Sequence, residues 1–124
     1  MNGESSKPLT RRRVLVVEDQ YLVADEMRRV VEGLGGQVVG PVPRAQRALD
    51  LLDAGEVDFA LLDINLAGEN VYPLAAELLR RGAPFIFATG CEPWVIPTEF
   101  RDTPRLEKPV TAKALIDAIN RLGM

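Results

Sequence analysis

The 124-residue chain has no histidine, only one cysteine and no long apolar run. Without histidine it has no imidazole metal ligand and no histidine general base, and any chemistry that needs a histidine requires a partner to supply it. The lone Cys91 cannot form an internal disulfide, which is typical of a reducing compartment. No stretch approaches the roughly 20 apolar residues of a membrane span, and the N-terminus lacks a signal-peptide core. We therefore expect a cytoplasmic protein without membrane insertion.

The chain also lacks an excess of basic residues. Its formal net charge is −3, and the run Arg11-Arg12-Arg13 stands in an otherwise acidic sequence, so we expect no DNA binding. A chain of this length forms one domain that buries roughly two thirds of its unfolded surface. The first ten residues are polar and contain glycine, serine and proline. We expect a flexible tail over residues 1–10 and a single domain over residues 11–124.

Short apolar runs alternate with segments of helical periodicity. They predict strands at 14–17, 37–40, 59–62, 85–89 and 105–107, and helices at 20–34, 44–54, 70–81 and from 111 onward. In the first helix, the residues predicted on the inner face are Leu22, Val23, Met27, Val30, Val31 and Leu34. Prolines 93, 97 and 104 leave room for about one helical turn before the last strand. We predict an α/β fold, a doubly wound, flavodoxin-like five-stranded parallel sheet of order 2-1-3-4-5, with a short or irregular fourth helix.

Polar residues follow four of the five predicted strands. Glu18 and Asp19 follow the first strand, Asp63 the third, Thr89 the fourth and Lys108 the fifth. Taken singly, each has an ordinary interpretation as a helix cap, a strand residue or a solvated charge. In a parallel sheet, however, these strand ends lie side by side at the edge where ligands bind. The joint placement therefore indicates a functional site.

The residue types at this edge suit one reaction. Three clustered carboxylates repel each other and stay ionised only with a cation among them. Hard oxygen ligands without histidine or thiolate favour Mg²⁺, with Mn²⁺ as the alternative. A carboxylate such as Asp63 can attack a phosphoryl group and form an aspartyl phosphate. Lys108 can neutralise the phosphoryl charge, and the Thr89 hydroxyl can hydrogen-bond a phosphoryl oxygen.

These strand-end residues, with Pro109 directly after Lys108, resemble the receiver domain of two-component response regulators. The resemblance covers about residues 11 to 123. It implies a phosphorelay protein that takes a phosphoryl group onto Asp63 from a phosphohistidine of a sensor histidine kinase or a histidine phosphotransfer protein. It also implies a cis peptide bond between Lys108 and Pro109.

The resemblance further implies a role for each metal ligand. Asp19 would be a direct ligand of Mg²⁺, as would Asp63, while Glu18 would act largely through water. The backbone carbonyl of Asn65 would complete the metal shell. The domain would not be an enzyme beyond Mg²⁺-dependent self-phosphorylation from a phosphodonor and autodephosphorylation.

The stretch from Pro84 to Gly90 resembles a narrower group, the stand-alone receivers with a Phe-Ala-Thr-Gly signature. Many of these come from alphaproteobacteria, and members have been tied to general stress signalling. The chain departs from the wider family at Ala67, where proline is common, and at Arg105, where an aromatic switch residue is usual. In the narrower group an aromatic residue usually stands where this chain has Glu92. These departures bear on how the domain reports phosphorylation.

We expect a single-domain response regulator, because no residues follow the last predicted helix. Its output would be protein contact with an unknown downstream partner, or it would pass or drain phosphoryl groups within a relay. Since a guanidinium disfavours a dry cavity, Arg105 should not replace the aromatic switch. We expect the change to be read in the segment 91–104 instead. There Trp94 and Phe100 either form an exposed contact patch or cover the sheet edge beside the truncated helix.

Three other interpretations compete. A phosphorylation-independent interaction module could use the same fold, although the intact set of acids, threonine and lysine speaks against it. A phosphatase of the haloacid-dehalogenase type would need an aspartate where this chain has Asn65. A flavodoxin-type flavin domain would place its phosphate where Glu18 and Asp19 would repel it.

Overall fold

The computed structural model describes residues 7–55, 57–66, 68–90 and 96–124. The five parallel strands are β1 (Arg13–Val17), β2 (Gln37–Val42), β3 (Phe59–Asp63), β4 (Phe85–Thr89) and β5 (Arg105–Glu107), in the order β2-β1-β3-β4-β5. The helices are α1 (Tyr21–Gly33), α2 (Ala45–Asp53), α3 (Tyr72–Arg80) and α4 (Ala112–Leu122). This topology confirms the predicted doubly wound sheet. Among the described residues, no helix is long and apolar enough to cross a membrane.

The sheet is buried on both faces, as its continuous apolar strands predict. All five residues of β3 and of β4 are buried. Neighbouring residues of β1 face opposite cores: Leu15 packs with the residues of α2 and α3, and Val14 with those of α1 and α4. This double covering holds the strand ends in fixed positions at the carboxyl edge of the sheet.

Helix α1 buries Ala24, Met27 and Val31 against the sheet. The prediction that Leu22 lies on the inner face is wrong, because this side chain is 77% exposed. Leu22 precedes Val31 by about two and a half helical turns, which places the two residues on opposite sides of the helix. The N-terminal end of α1 therefore presents an apolar side chain to solvent.

The start of the domain also differs from the expectation of a flexible tail over residues 1–10. Residues 7–10 form a turn, and the Leu9 side chain is fully buried beside α1. The Leu9 N–H donates to the Leu34 carbonyl at 2.9 Å. A Cβ on Gly36 would come within 2.8 Å of the Val31 side chain and 3.2 Å of Leu9, so glycine permits this close approach. Residues 1–6 lie outside the described residues.

The connection between β4 and β5 is short, as the prolines predict. Its regular element in the described residues is a 3-10 helix over Thr98–Phe100. Phe100 is 1% exposed and packs in the core on the α2 and α3 face. Of the two alternatives, the structure therefore supports the covering role for Phe100, and Trp94 lies outside the described residues. Arg105 is exposed, as predicted.

We predict that Leu9→Ala lowers the free energy of unfolding by about 2–5 kcal/mol, the usual cost of a core leucine truncation. Urea titration followed by circular dichroism measures it. The matched control is Leu22→Ala, the same chemical change at an exposed site, which should stay within about 0.5 kcal/mol. Equal effects of the two substitutions would show that Leu9 is not part of the core.

Candidate functional site

Three carboxylates meet at the carboxyl edge of the sheet. Val17 of β1 pairs with Leu62 of β3, so the residues that follow them, Glu18 and Asp63, are neighbours. With Asp19, they offer ligand oxygens that all lie within 4.8 Å of one another. Glu18 is 2% exposed and Asp63 1%, whereas Asp19 is partly exposed. The structure thus brings together the acids that the sequence predicts at this edge.

Lys108 supplies the cation of the cluster. Its Nζ lies 2.9 Å from Glu18 Oε1 and 3.0 Å from Asp63 Oδ1. Burial lowers the pKa of Lys108, but the contacts with the two carboxylates outweigh this effect and raise it above its ordinary value. The side chain therefore stays charged. The Lys108 N–H donates to the Thr89 carbonyl at 2.8 Å, and the Lys108–Pro109 peptide bond is cis, as the resemblance implies.

Backbone donors hold the two buried carboxylates in place. The Gln20 N–H donates to Glu18 Oε2 and the Asn65 N–H to Asp63 Oδ1, each at 3.0 Å. Asp63 Oδ2 is buried and has no hydrogen-bond partner in the described part of the chain. A buried oxygen without a partner is costly, so this atom marks the point where a ligand would be stabilised.

Burial raises the pKa of Glu18 to about 7. The Lys108 ammonium and the Gln20 N–H lower it, and the negative charge of Asp63 raises it further. Glu18, Asp19 and Asp63 form a cluster of three carboxylates beside the Lys108 ammonium. Their oxygens are the hard donors that Mg²⁺ prefers, and the unpartnered Asp63 Oδ2 belongs to the same group. The residues present therefore fit a divalent cation.

Thr89 and Asn65 are at the predicted edge, but their contacts are more limited. Thr89 is the last residue of β4 and is nearly buried, and its hydroxyl donates to the Gly90 carbonyl at 3.1 Å. Asn65 is exposed and contacts Asp63 through its N–H. The Asn65 carbonyl as a metal ligand stays a prediction.

A cavity of about 330 Å³ adjoins Glu18 and Asp19. Its other lining residues are Tyr21, Ala24, Asp25, Arg28, Pro41 and Pro43. Arg28 is held on α1 by Asp25 at 2.6 Å and by Glu32 at 2.9 Å. These lining residues could not be identified from the sequence, because Pro41 and Pro43 indicate only the end of a strand. No local sequence pattern indicates that residues 41–43 face α1 across this cavity.

Residues 14–120 match the family of the response regulator receiver domain. The chain is 32% identical over 113 residues to the positive alginate biosynthesis regulatory protein of Pseudomonas aeruginosa. That match covers 87% of this chain and 46% of the regulator, so the chain spans about half the length of this curated relative.

Two solved structures are also similar. The solution structure of SdrG from Sphingomonas melonis Fr1 superposes with a TM-score of 0.82 and 37% identity, covering 94% of this chain and 98% of SdrG. The crystal structure of the anti-anti-sigma factor PhyR from Bartonella quintana superposes with a TM-score of 0.74 and 26% identity. The latter match covers 89% of this chain and 46% of PhyR.

We predict that the raised pKa of Glu18 makes the metal-free protein less stable as pH rises. A carboxyl group whose pKa is higher in the folded state contributes stability below its ordinary pKa of 4.5, and loses it as pH rises through about 7. In EDTA, thermal unfolding between pH 5 and pH 8 should therefore depend less on pH in Glu18→Gln than in the wild type. Parallel pH profiles for the two proteins would contradict the assignment.

We also predict that Mg²⁺ binds at the three carboxylates with modest affinity. Asp19→Asn should weaken binding by at least about tenfold, since even outer-shell partners of metals typically contribute that much. Isothermal titration calorimetry measures the affinity. The control is Asp117→Asn on α4, which pairs with Lys113 outside this cluster and should leave binding unchanged. Equal weakening by both substitutions would indicate nonspecific charge attraction.

Proposed function

The chain belongs to the response regulator receiver domain family, and we propose that it accepts a phosphoryl group on Asp63. The observation that carries the proposal is Asp63 Oδ2, a buried carboxylate oxygen without a hydrogen-bond partner in the described residues. The Lys108 ammonium lies 3.0 Å from the other oxygen of the same carboxylate. Because this chain has no histidine, the phosphohistidine donor belongs to a partner, a sensor histidine kinase or a histidine phosphotransfer protein.

In the proposed reaction, Asp63 Oδ2 attacks the phosphorus atom of the phosphohistidine. The new O–P bond forms as the P–N bond breaks, and the imidazole leaves with the bonding electrons and takes up a proton. Asp63 Oδ1 accepts from the Asn65 N–H and contacts Lys108, whereas Oδ2 has no hydrogen-bond partner in the described residues and is the proposed reacting oxygen. Lys108 neutralises charge on the phosphoryl oxygens, which is the main contribution a protein makes to this type of transfer.

We propose Mg²⁺ as the cofactor, with Mn²⁺ as a substitute. Asp19 and Asp63 would hold it directly, Glu18 largely through water, and the Asn65 carbonyl would complete the shell. When bound, the ion adds positive charge beside the transferred phosphoryl group. Thr89 would turn its hydroxyl from the Gly90 carbonyl toward a phosphoryl oxygen. The domain would act only on its own phosphoryl group, which water later removes.

The relatives support a role in signalling through protein contact. SdrG is matched over 98% of its length, and one neighbour is named as an anti-anti-sigma factor. We propose that this chain works as a single-domain response regulator in general stress signalling, and that its phosphorylated form contacts a downstream protein.

We predict that acetyl phosphate with Mg²⁺ adds the mass of one phosphoryl group to the wild type. Asp63→Asn should abolish this gain, because an amide is not a nucleophile toward phosphorus, and Lys108→Ala should reduce it. Excess EDTA should also prevent it. Intact-mass spectrometry measures the gain, and a peptide map locates it.

The control is Asp53→Asn at the end of α2, an exposed acid that pairs with Arg81 just after α3; this variant should be phosphorylated like the wild type. A phosphoryl group mapped to another residue, or a full mass gain in EDTA, would overturn the assignment. No mass gain in the wild type with any phosphodonor would instead favour the phosphorylation-independent interaction module.

A further inference from the structure

Two connections leave the candidate site, and an aromatic stack joins them. The first runs from Asp63 to the start of α3, and the second from Thr89 to β5. Tyr72 is the first residue of α3, and Phe100 is the last residue of the 3-10 helix in the second connection. Their ring centroids lie 5.7 Å apart, with 17° between the ring planes. This stack joins the segments that follow β3 and β4, on the face of the sheet that α2 and α3 cover.

The connection from Asp63 to Tyr72, described over residues 64–66 and 68–71, is anchored in the core by three apolar side chains. Ile64, Leu66 and Val71 are all buried in the same core as Phe100. The Ile64 N–H donates to the Ala88 carbonyl at 3.0 Å, and the Tyr72 N–H to Asn70 Oδ1 at 3.0 Å. Since close-packed cores transmit small displacements, a change at Asp63 reaches Tyr72 through packed side chains.

Phe100 connects the stack to the other strand of the site. Its ring meets Phe87 edge-on at 5.8 Å, and Tyr72 meets the same Phe87 edge-on at 6.0 Å. Phe87 precedes Thr89 by two residues on β4, on the same side of the strand. The Thr103 N–H donates to the Phe100 carbonyl, so Phe100 also holds the turn that leads into β5. The rings of Tyr72, Phe87 and Phe100 thus contact one another and join the segments that follow β3 and β4.

Arg105 explains why the aromatic ring comes from α3. Arg105 pairs with Phe87 in the register of β4 and β5, and its side chain is exposed. Residue 105 therefore provides no aromatic ring to cover Phe87. Tyr72 covers it instead. Burial raises the pKa of Tyr72, and the nearby charge of Arg105 partly opposes that rise, so the phenol stays neutral at physiological pH.

We propose that Tyr72 is the positioning residue that couples phosphorylation of Asp63 to the segment 96–104. The proposal rests on the proposed function, since it needs Asp63 to be the acceptor. A rearrangement at Asp63 shifts the start of α3 and with it the Tyr72 ring. Phe100 follows, because the two rings are stacked and both contact Phe87. The output surface is then the segment around the 3-10 helix.

Beryllofluoride with Mg²⁺, a mimic of the phosphoryl group, tests the coupling by amide NMR. In the wild type, resonances of residues 64–66 and of residues 98–103 should both shift. Tyr72→Leu should keep the shift at 64–66 and lose most of the shift at 98–103. Tyr72→Phe retains the ring and should behave like the wild type. The control is Leu22→Ala, a change at a side chain that is 77% exposed and lies outside both the stack and the candidate site, which should also retain both shifts.

Phe100→Leu removes the other ring and should uncouple the segment in the same way. If Tyr72→Leu does not fold, Phe100→Leu tests the coupling in its place. Full shifts at 98–103 in a folded Tyr72→Leu or Phe100→Leu would overturn the coupling, as would a loss of the shift in Tyr72→Phe. The shift at 64–66 in the wild type reports on the proposed function itself. Its absence, together with an unchanged mass in acetyl phosphate, would refute the acceptor role of Asp63 and the coupling with it.

Discussion

The Lys108 ammonium lies between two buried carboxylates, those of Glu18 and Asp63, at 2.9 and 3.0 Å. The three residues come from the ends of three different strands, so this contact also holds the carboxyl edge of the sheet together. Breaking a buried ion pair by removing one partner typically costs about 3–5 kcal/mol, because the other charge stays behind without compensation. Asp19 adds a third carboxylate to this cluster, and burial raises the pKa of Glu18 to about 7. The site is thus built for added positive charge.

The burial of these carboxylates also determines which oxygen of Asp63 is left without a partner. One carboxylate oxygen is held by Lys108 and by the Asn65 N–H, and the other is buried without a partner in the described residues. A structure optimised only for stability would not leave such an oxygen unsatisfied. The unsatisfied atom is the feature that a metal ion or a phosphoryl group would relieve. The proposed reactivity of Asp63 toward phosphorus therefore has the same origin as the local instability at this edge.

On the side of the sheet near β5, by contrast, apolar side chains pack into a core. In the described part of the connection between β4 and β5, Pro97 and Pro104 flank a 3-10 helix over Thr98–Phe100. Phe100 and Tyr72 pack against Phe87, whose register partner on β5 is the exposed Arg105. The ring beside Phe87 thus comes from α3, far away in sequence from position 105.

The sequence by itself determined the strand order, the edge of the sheet where the acids meet, and the identity of Glu18, Asp19, Asp63 and Lys108 as its charged residues. It could do so because alternating apolar runs force a parallel sheet, and a parallel sheet places all its strand ends together. Periodicity and strand ends are local properties, which one sequence displays directly.

Only the tertiary structure decided which side chains pack across elements. Leu9 lies in a polar stretch, yet it is buried because the turn after α1 passes close by through Gly36. Leu22 fits an apolar pattern, yet it is exposed. The stack of Tyr72 on Phe100, and the Thr89 hydroxyl on the Gly90 carbonyl, depend on side-chain directions in space. Contacts between residues distant in the chain are fixed by the packing of the whole core, and no local pattern in the sequence encodes them.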